Sequence, residues 1–532
     1  MKIALISPPY PLEESPSPPL GLCYVAAACE AAGAQVILID YIVEKYTPEK
    51  LAVALNAFQP HVVGITSVTM NFYQAIKIIQ DVKHMHPEII TMMGGPHVTF
   101  DIENTLKRYS ELDLIVYGES EATLLELIPR LSAPYHNWEN IRGIAFRRGY
   151  DVMVTPKRPL IDHIDELCLP SRHLLPMSRY QALGFPVTII TSRGCPNRCI
   201  FCLGRRMVGH KARFRDPKLV VDEIEDILDY GITRINIADD LFTANKRRVK
   251  ALCDEIIRRR VNFGWSAFAR VNTVDLEMLT NMKSAGCDTI SYGIESGNPE
   301  ILKRVKKGIT LNQTKNAVMW SKQAGLRTHA SFMVGLPGES RETLNRTQHF
   351  AESLNIEYGY HFLSPFPGTT IRESIDQYDL QILTNDWNLY DANQAIVETS
   401  QLSAKEMDAF VQDVYQRFEE GMEDTRTRYH EGRCTDEEFL RMEGHYHMHL
   451  IYKLLSEDLV DNQQVWPLTD NDYEPEASFV ASIIQMTQMD AAMVERSIKN
   501  LILMGYLGYR RVQNGIKWFW THNNKVERLV IK

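Results

Sequence analysis

Residues 191–202 read TSRGCPNRCIFC and set Cys195, Cys199 and Cys202 within eight positions, with no fourth cysteine close by. The chain holds nine cysteines, an odd count, and clustered thiols in a reducing compartment point to metal binding or catalysis more than to disulfides. A cubane iron–sulfur cluster has four irons that each want one external ligand, usually a thiolate, so three cysteines leave one iron open. Structural zinc is the competing reading. It wants four ligands, and the nearest later candidate, His210, lies off the motif spacing.

The cysteine loop follows an apolar run, VTIITS at 187–192, and that run begins a series. RINIAD, GWSAFAR, TISYGIES, THASFMVG and YGYHFLS come after it, with helical stretches between. Six βα units are too few for a closed eight-strand barrel and predict an open, partial (β/α)6 barrel over 187–375. Catalytic residues belong at the carboxyl ends of such strands. Ser192, Asp239, Asp240, Arg270, Glu295 and the GLPGES turn that begins at Gly335 all fall there. A strand-end aspartate pair is more often a cap or an ion-pair partner than a catalyst.

Upstream, KIALIS, AQVILID, HVVGITS, EIITMMGG and LDLIVYG alternate with helical segments. Five buried strands in this rhythm predict a doubly wound parallel sheet over 1–133. Gly94, Gly95 and Gly118 stand at strand ends, where backbone can approach a large flat ligand closely. Such a sheet could equally bind a nucleotide or nothing. Residues 134–186 break the rhythm. FRRGYDVMVTP reads as a hairpin, and the proline-punctuated remainder reads as a linker running over a surface.

With 532 residues, several domains with real cores are expected. A formal net charge of −9 leaves no global basic field for a phosphate backbone, so no nucleic acid partner is expected. MKIALISPPYP is too short for a signal-peptide core, and no apolar stretch reaches the roughly 18 residues needed to span a bilayer. A soluble, cytoplasmic protein is expected.

CPNRCIFC, with an aromatic just before its last cysteine, resembles the CxxxCxxC signature of radical S-adenosylmethionine (SAM) enzymes. IADDLFT, YGIESG, GLPGES and PFPGTT look like companion motifs of the branch that carries an amino-terminal cobalamin domain. PPLGLCYVAAACEAAG, GGPHVT and YGESEATLLEL look like that domain's own marks. The resemblance covers about residues 1–420 and is akin to class B methyltransferases and to the anaerobic ring-forming cyclase of bacteriochlorophyll synthesis. It implies a Rossmann-like cobalamin domain, a radical SAM barrel and three cofactors: a [4Fe–4S] cluster, SAM and cobalamin.

Carried onto this chain, the resemblance implies cluster ligation by Cys195, Cys199 and Cys202, with SAM chelating the open iron and Phe201 lying against its adenine. Glu295 would offer a carboxylate to the ribose or ammonium of SAM, and Arg270 a fork for its carboxylate. Asp239, Asp240 and Gly335 are further candidates on the barrel side. Ser67, Thr69, Gly94, Gly95, His97, Gly118 and Glu119 are candidates on the cobalamin side. Many cobalamin proteins supply a histidine to cobalt from a DxHxxG motif. The counterpart loop here, GITSVTMNFYQA, has none, and His97 is the nearest alternative.

The implied reaction is methylation of an unactivated carbon or phosphinate centre by way of methylcobalamin and a 5'-deoxyadenosyl radical. The same machinery can instead drive an oxidative cyclisation or rearrangement. A cobalamin or redox sensor that contacts DNA is the reading from another class. The expected partners are a small-molecule or natural-product substrate and an external one-electron reductant of flavodoxin or ferredoxin type. Both cofactors must reach one substrate carbon, so the sheet should face the barrel mouth across one cavity larger than an ordinary ligand site of roughly 300 to 1,000 Å³.

Beyond the barrel, 376–436 reads as a helical cover. Residues 437–532 read as a winged-helix-like substrate or assembly domain whose hairpin turns at Asn514-Gly515.

Overall fold

The computed structural model describes residues 1–131, 138–461, 466–467, 475–513 and 515–521. Strands β1 (Lys2–Ser7), β2 (Gln35–Asp40), β3 (Val62–Thr66), β4 (Ile90–Gly94) and β5 (Leu114–Val116) are apolar runs. A parallel sheet covered by helices on both faces needs such strands. They pair in the order β2-β1-β3-β4-β5, all parallel, so the winding reverses between β1 and β3. Ligands bind outside the carboxyl ends of the strands at such a reversal.

The hairpin expected at 146–156 is present as β6 (Ile144–Arg148) and β7 (Asp151–Val154), and it extends the sheet antiparallel from β5. Residues 157–169 run mostly exposed or half-buried, as expected of a surface connection, but the chain after them does not. Ser171 and Arg172 are buried, and the Arg172 guanidinium meets Glu223 of the barrel layer at 2.6 Å. A buried arginine needs that partner, which ties the connection to the barrel.

The second sheet runs β8 (Val187–Ile189), β11 (Arg234–Ile237), β12 (Gly264–Ala269), β13 (Cys287–Glu295), β14 (Arg327–Val334) and β15 (Glu357–Phe362). All six strands are parallel and the sheet stays open between β15 and β8, as expected. A short antiparallel pair, β9 (Ser192–Arg193) with β10 (Arg213–Phe214), stands at its mouth. The helices after β10, β11, β12, β13 and β14 start where Asp216, Asn245, Asp275, Thr310 and Ser340 accept a backbone N–H. Such caps fix where each helix begins. Trp265, Tyr292 and Phe332 are fully buried in the barrel core, each contributing about 2–3 kcal/mol by leaving water.

The helix Ala404–His430 lays Met407, Phe410, Val411 and Val414 into that same core. Beyond it, helices Asp436–Ser456, Pro475–Thr487 and Ala491–Leu503 and the antiparallel strands Leu507–Val512 and Gly515–Trp520 share a separate core. Phe479 stacks on Trp518 at its centre. The helix and hairpin expected there are present, and the turn residue Asn514 lies outside the described residues. Among the described residues no helix is long and apolar enough to cross a membrane.

Candidate functional site

The cysteine loop is pinched at its neck. β9 and β10 place Arg193 opposite Arg213, so residues 194–212 form a closed excursion from the barrel mouth. Gly194 turns the chain out at φ 103°, and a Cβ there would lie 2.3 Å from the Lys211 carbonyl, so only glycine fits. The Cys195 N–H donates to the Gly209 carbonyl at 3.1 Å. Buried Ile200 pins the middle of the loop, donating to Val305 and accepting from Ile371. Cys195 and Cys199 are half-buried, and Cys202 keeps an exposed edge. Burial of its sulfur raises the Cys202 thiol above its ordinary pKa, the Gly204 N–H opposes the rise, and the neighbouring charges of Cys199, Cys195 and Asp240 add to it.

Asp239 and Asp240 hold the base of this loop. Buried Asp239 accepts from the Thr191 N–H, the Thr191 hydroxyl and the Ser192 hydroxyl, each at 2.6 Å. Burial raises its pKa, and those hydrogen bonds and Arg248 oppose the rise. Asp240 accepts from the Gly194 N–H at 2.9 Å. Each aspartate therefore positions backbone ahead of Cys195.

On the far side of the loop Arg270, Lys307 and Glu295 form a connected group. One Arg270 nitrogen lies 3.5 Å from Cys199 Sγ, and the other donates to the Lys307 carbonyl. The Lys307 ammonium meets Glu295 Oε1 at 2.6 Å and stands 5.9 Å from the centre of the Phe201 ring. Glu295 ends β13 at φ 71°, just after a register shift at Gly293. A non-glycine residue held there, next to a bulge, has its side chain re-aimed at a cost of about 1–3 kcal/mol. Lys307 escaped the sequence reading, because its only signal was a cation run, KRVKK at 303–307.

The cobalamin-side candidates fall into two groups. Gly94, Gly95, Gly118 and Glu119 line a cavity of about 320 Å³ together with Ser192, Arg193 and Asp240 of the barrel. The carboxyl ends of the first sheet thus face the base of the cysteine loop, but Cys195, Cys199, Cys202 and Glu295, which the expected shared pocket was to include, do not line this cavity. The cavity is not the outsized pocket expected. Arg193 and Arg213 reach across and fill the gap: Glu119 takes Arg213 at 2.6 and 2.9 Å, and Glu121 takes Arg193 at 2.6 Å. All four are buried. A Cβ on Gly95 would lie 2.5 Å from the Ser67 carbonyl, so glycine is needed for β3 and β4 to close this wall.

Ser67, Thr69 and His97 form the second group, and none of them lines the cavity. The Ser67 hydroxyl points to Met93 Sδ. His97 is sandwiched by Phe72 and Trp387, with Nδ1 3.4 Å from the Thr69 hydroxyl. Burial, then the charge of Arg372, depress its pKa to about 3, so it stays neutral. Gly335 gives its N–H to buried Glu339 and packs toward Val397 and Met407. Among the described residues no three His, Cys, Asp or Glu side chains gather around a single-ion position.

A wound parallel sheet whose ligand edge faces an open barrel, with a three-cysteine loop at the barrel mouth, sets two candidate binding edges against each other. Family models agree: residues 14–128 match the B12 binding domain and residues 189–351 match the radical SAM superfamily. An uncharacterized methyltransferase of Pyrococcus horikoshii is 34% identical over 426 residues, covering 79% of this chain and 92% of that protein. The anaerobic magnesium-protoporphyrin IX monomethyl ester cyclase of Rubrivivax gelatinosus is 28% identical over 412 residues, covering 75% and 73%. The solved radical SAM methyltransferase TsrM of Kitasatospora setae shares the fold, with a TM-score of 0.65 at 21% identity over 72% of this chain and 81% of that one. The chain belongs to the radical SAM superfamily, in the branch that carries a B12 binding domain. It is an enzyme, and membership brings the cofactor set of iron–sulfur cluster, SAM and cobalamin.

Proposed function

We propose that the chain methylates an unactivated carbon or phosphinate centre of a small-molecule or natural-product substrate. The observation that carries this reading is the shared cavity, where the glycine turns of the first sheet and the base of the cysteine loop form one wall. Bound together, the three cofactors supply reductive cleavage of SAM, hydrogen abstraction and methyl transfer.

The chain's own residues would bind and aim. Cys195, Cys199 and Cys202 would hold the cluster. Lys307 would keep Glu295 turned toward SAM, and Arg270 would set the Lys307 backbone beside Cys199. Asp239 and Asp240 would fix the loop's base. The glycine-lined cavity suits part of a cobalamin, and His97, packed between Phe72 and Trp387 and outside that cavity, supports a cobalt without a histidine from this turn. An external one-electron donor would reduce the cluster.

Relatedness to the cyclase favours a second reading, oxidative cyclisation. Anaerobic incubation of reconstituted protein with SAM, cobalamin and cell extract, followed by mass spectrometry, separates the two. A substrate that gains one methylene mass supports methylation. Loss of hydrogens or gain of oxygen, with no methyl gained, sinks it in favour of cyclisation.

A further inference from the structure

Glu339 closes the turn that follows β14, and its carboxyl group is fully buried. One oxygen, Oε2, accepts the Gly335 N–H at 2.8 Å and the Leu336 N–H at 3.1 Å. The other, Oε1, is buried without a hydrogen-bond partner. Among the described residues no salt bridge reaches the group. The turn it ties packs on apolar side chains: Val397, Met407 and Leu363 stand 3.1 to 3.6 Å from where a Gly335 side chain would begin. The titratable side chain that faces Glu339 is Tyr360 of β15, whose own hydroxyl is buried without a partner. Arg304 donates to the Pro337 carbonyl, and Glu398 accepts from the Ala404 N–H.

Two neutral N–H donors on one oxygen offset only part of the cost of a charge in such a place. A buried carboxyl group without a countercharge keeps its proton instead. Burial pushes the Glu339 pKa up to about 8, against the pull of the Gly335 and Leu336 N–H groups. The turn also reaches the cysteine loop: Leu336 shares one apolar cluster with Ile200, and Phe201 packs against that cluster. We propose that Glu339 is a positioning residue that works as a neutral carboxylic acid, clamping Gly335 and Leu336 through Oε2 and so seating Leu336 against Ile200 and Phe201. The inference rests on the SAM reading above and deepens it by naming a proton that the site must keep. Loss of that proton in alkali puts an uncompensated charge beneath the turn, so SAM binding weakens there while the cluster stays bound.

The test compares full-length, reconstituted wild type with Glu339→Gln, which keeps an acceptor and cannot ionise, and Glu339→Ala, which removes the clamp. The infrared difference between wild type and the glutamine variant should show a protonated carboxyl band at neutral pH that vanishes as pH rises past about 8. The unfolded carboxyl ionises near 4.5 and the folded one near 8, so the folded chain holds the extra proton and native stability falls as pH rises between those values. The glutamine variant should lack that part of the slope in melting temperature. SAM affinity by calorimetry should fall roughly tenfold in the alanine variant at neutral pH, and in wild type above its folded pKa, with iron content unchanged and the glutamine variant flat across the range. No protonated band together with equal slopes overturns the proposal. So does a glutamine variant that binds SAM as weakly as the alanine variant, or an alanine variant that binds it as wild type does. If the alanine variant does not fold, wild type against the glutamine variant still decides. Wild type that binds no SAM at any pH contradicts the SAM reading, and the band and the slope still judge whether Glu339 keeps its proton.

Discussion

The Glu119 carboxylate takes the Arg213 guanidinium with both oxygens, at 2.6 and 2.9 Å, across the boundary between the first sheet and the barrel mouth. Arg213 sits on the neck of the cysteine loop, and Glu119 lines the cavity. The charge-assisted pair joins the walls that the two cofactors would share. Burial pushes the Glu119 pKa up, but Arg213, the Ile161 N–H and Arg193 outweigh it and hold the group below its ordinary value. Its stabilisation is therefore present above the usual glutamate range and lost as pH falls through the depressed folded value. Glu119→Gln leaves buried Arg213 without its countercharge and should cost about 3 kcal/mol at neutral pH. Denaturant unfolding checks this. A midpoint within error of wild type would mean the pair does not hold the boundary.

Cys195→Ala, Cys199→Ala and Cys202→Ala should each abolish the brown chromophore and 5'-deoxyadenosine formation. Cys23, Cys29 and Cys253 should tolerate alanine in both readouts, because burial pushes their thiols to about 12 and leaves them poor ligands. Iron content and absorbance decide it. Full activity in any of the first three variants would refute the ligand assignment.

Lys307→Met removes the cation that meets Glu295 at 2.6 Å and leaves the Arg270 contact to the Lys307 backbone in place. SAM affinity by calorimetry should weaken roughly tenfold or more, the scale of a lost charged hydrogen bond, with iron content unchanged. Unaltered SAM affinity would remove Lys307 and Glu295 from the SAM site.

Folded His97 stays neutral down to about pH 3, whereas an ordinary histidine takes a proton near 6.5. The unfolded chain thus binds the extra proton, and native stability falls as pH drops from about 6.5 toward 3. His97→Gln should shallow that slope in melting temperature, and the spectrum of bound cobalamin should be unchanged in His97→Ala. Nitrogen coordination that disappears in the alanine variant would place cobalt on His97.

Short-range spacing carried most of what was legible. The cysteine loop, the strand-end aspartates and the glycine turns are local patterns, and alternation of apolar runs was enough to foresee both sheets. Contacts across the boundary were not legible. Glu119 and Arg213 are 94 positions apart and carry no periodic mark. The roles of Asp239 and Asp240 as anchors of Thr191, Ser192 and Gly194 needed coordinates, since a strand-end carboxylate looks the same whether it faces ligand or backbone. The cavity size was misjudged for the same reason: the arginines that narrow it belong to the barrel, and their reach toward the first sheet has no sequence signature.

The central claim is that one shared wall serves both cofactors in methyl transfer. Reconstituted protein given cobalamin, a reductant and SAM deuterated in its methyl group tests this most directly, with mass spectrometry of the cobalamin fraction and of the small molecules. The account predicts label in cobalamin before substrate is added, then label in a product together with 5'-deoxyadenosine. Release of 5'-deoxyadenosine with no label ever entering cobalamin or product would contradict it.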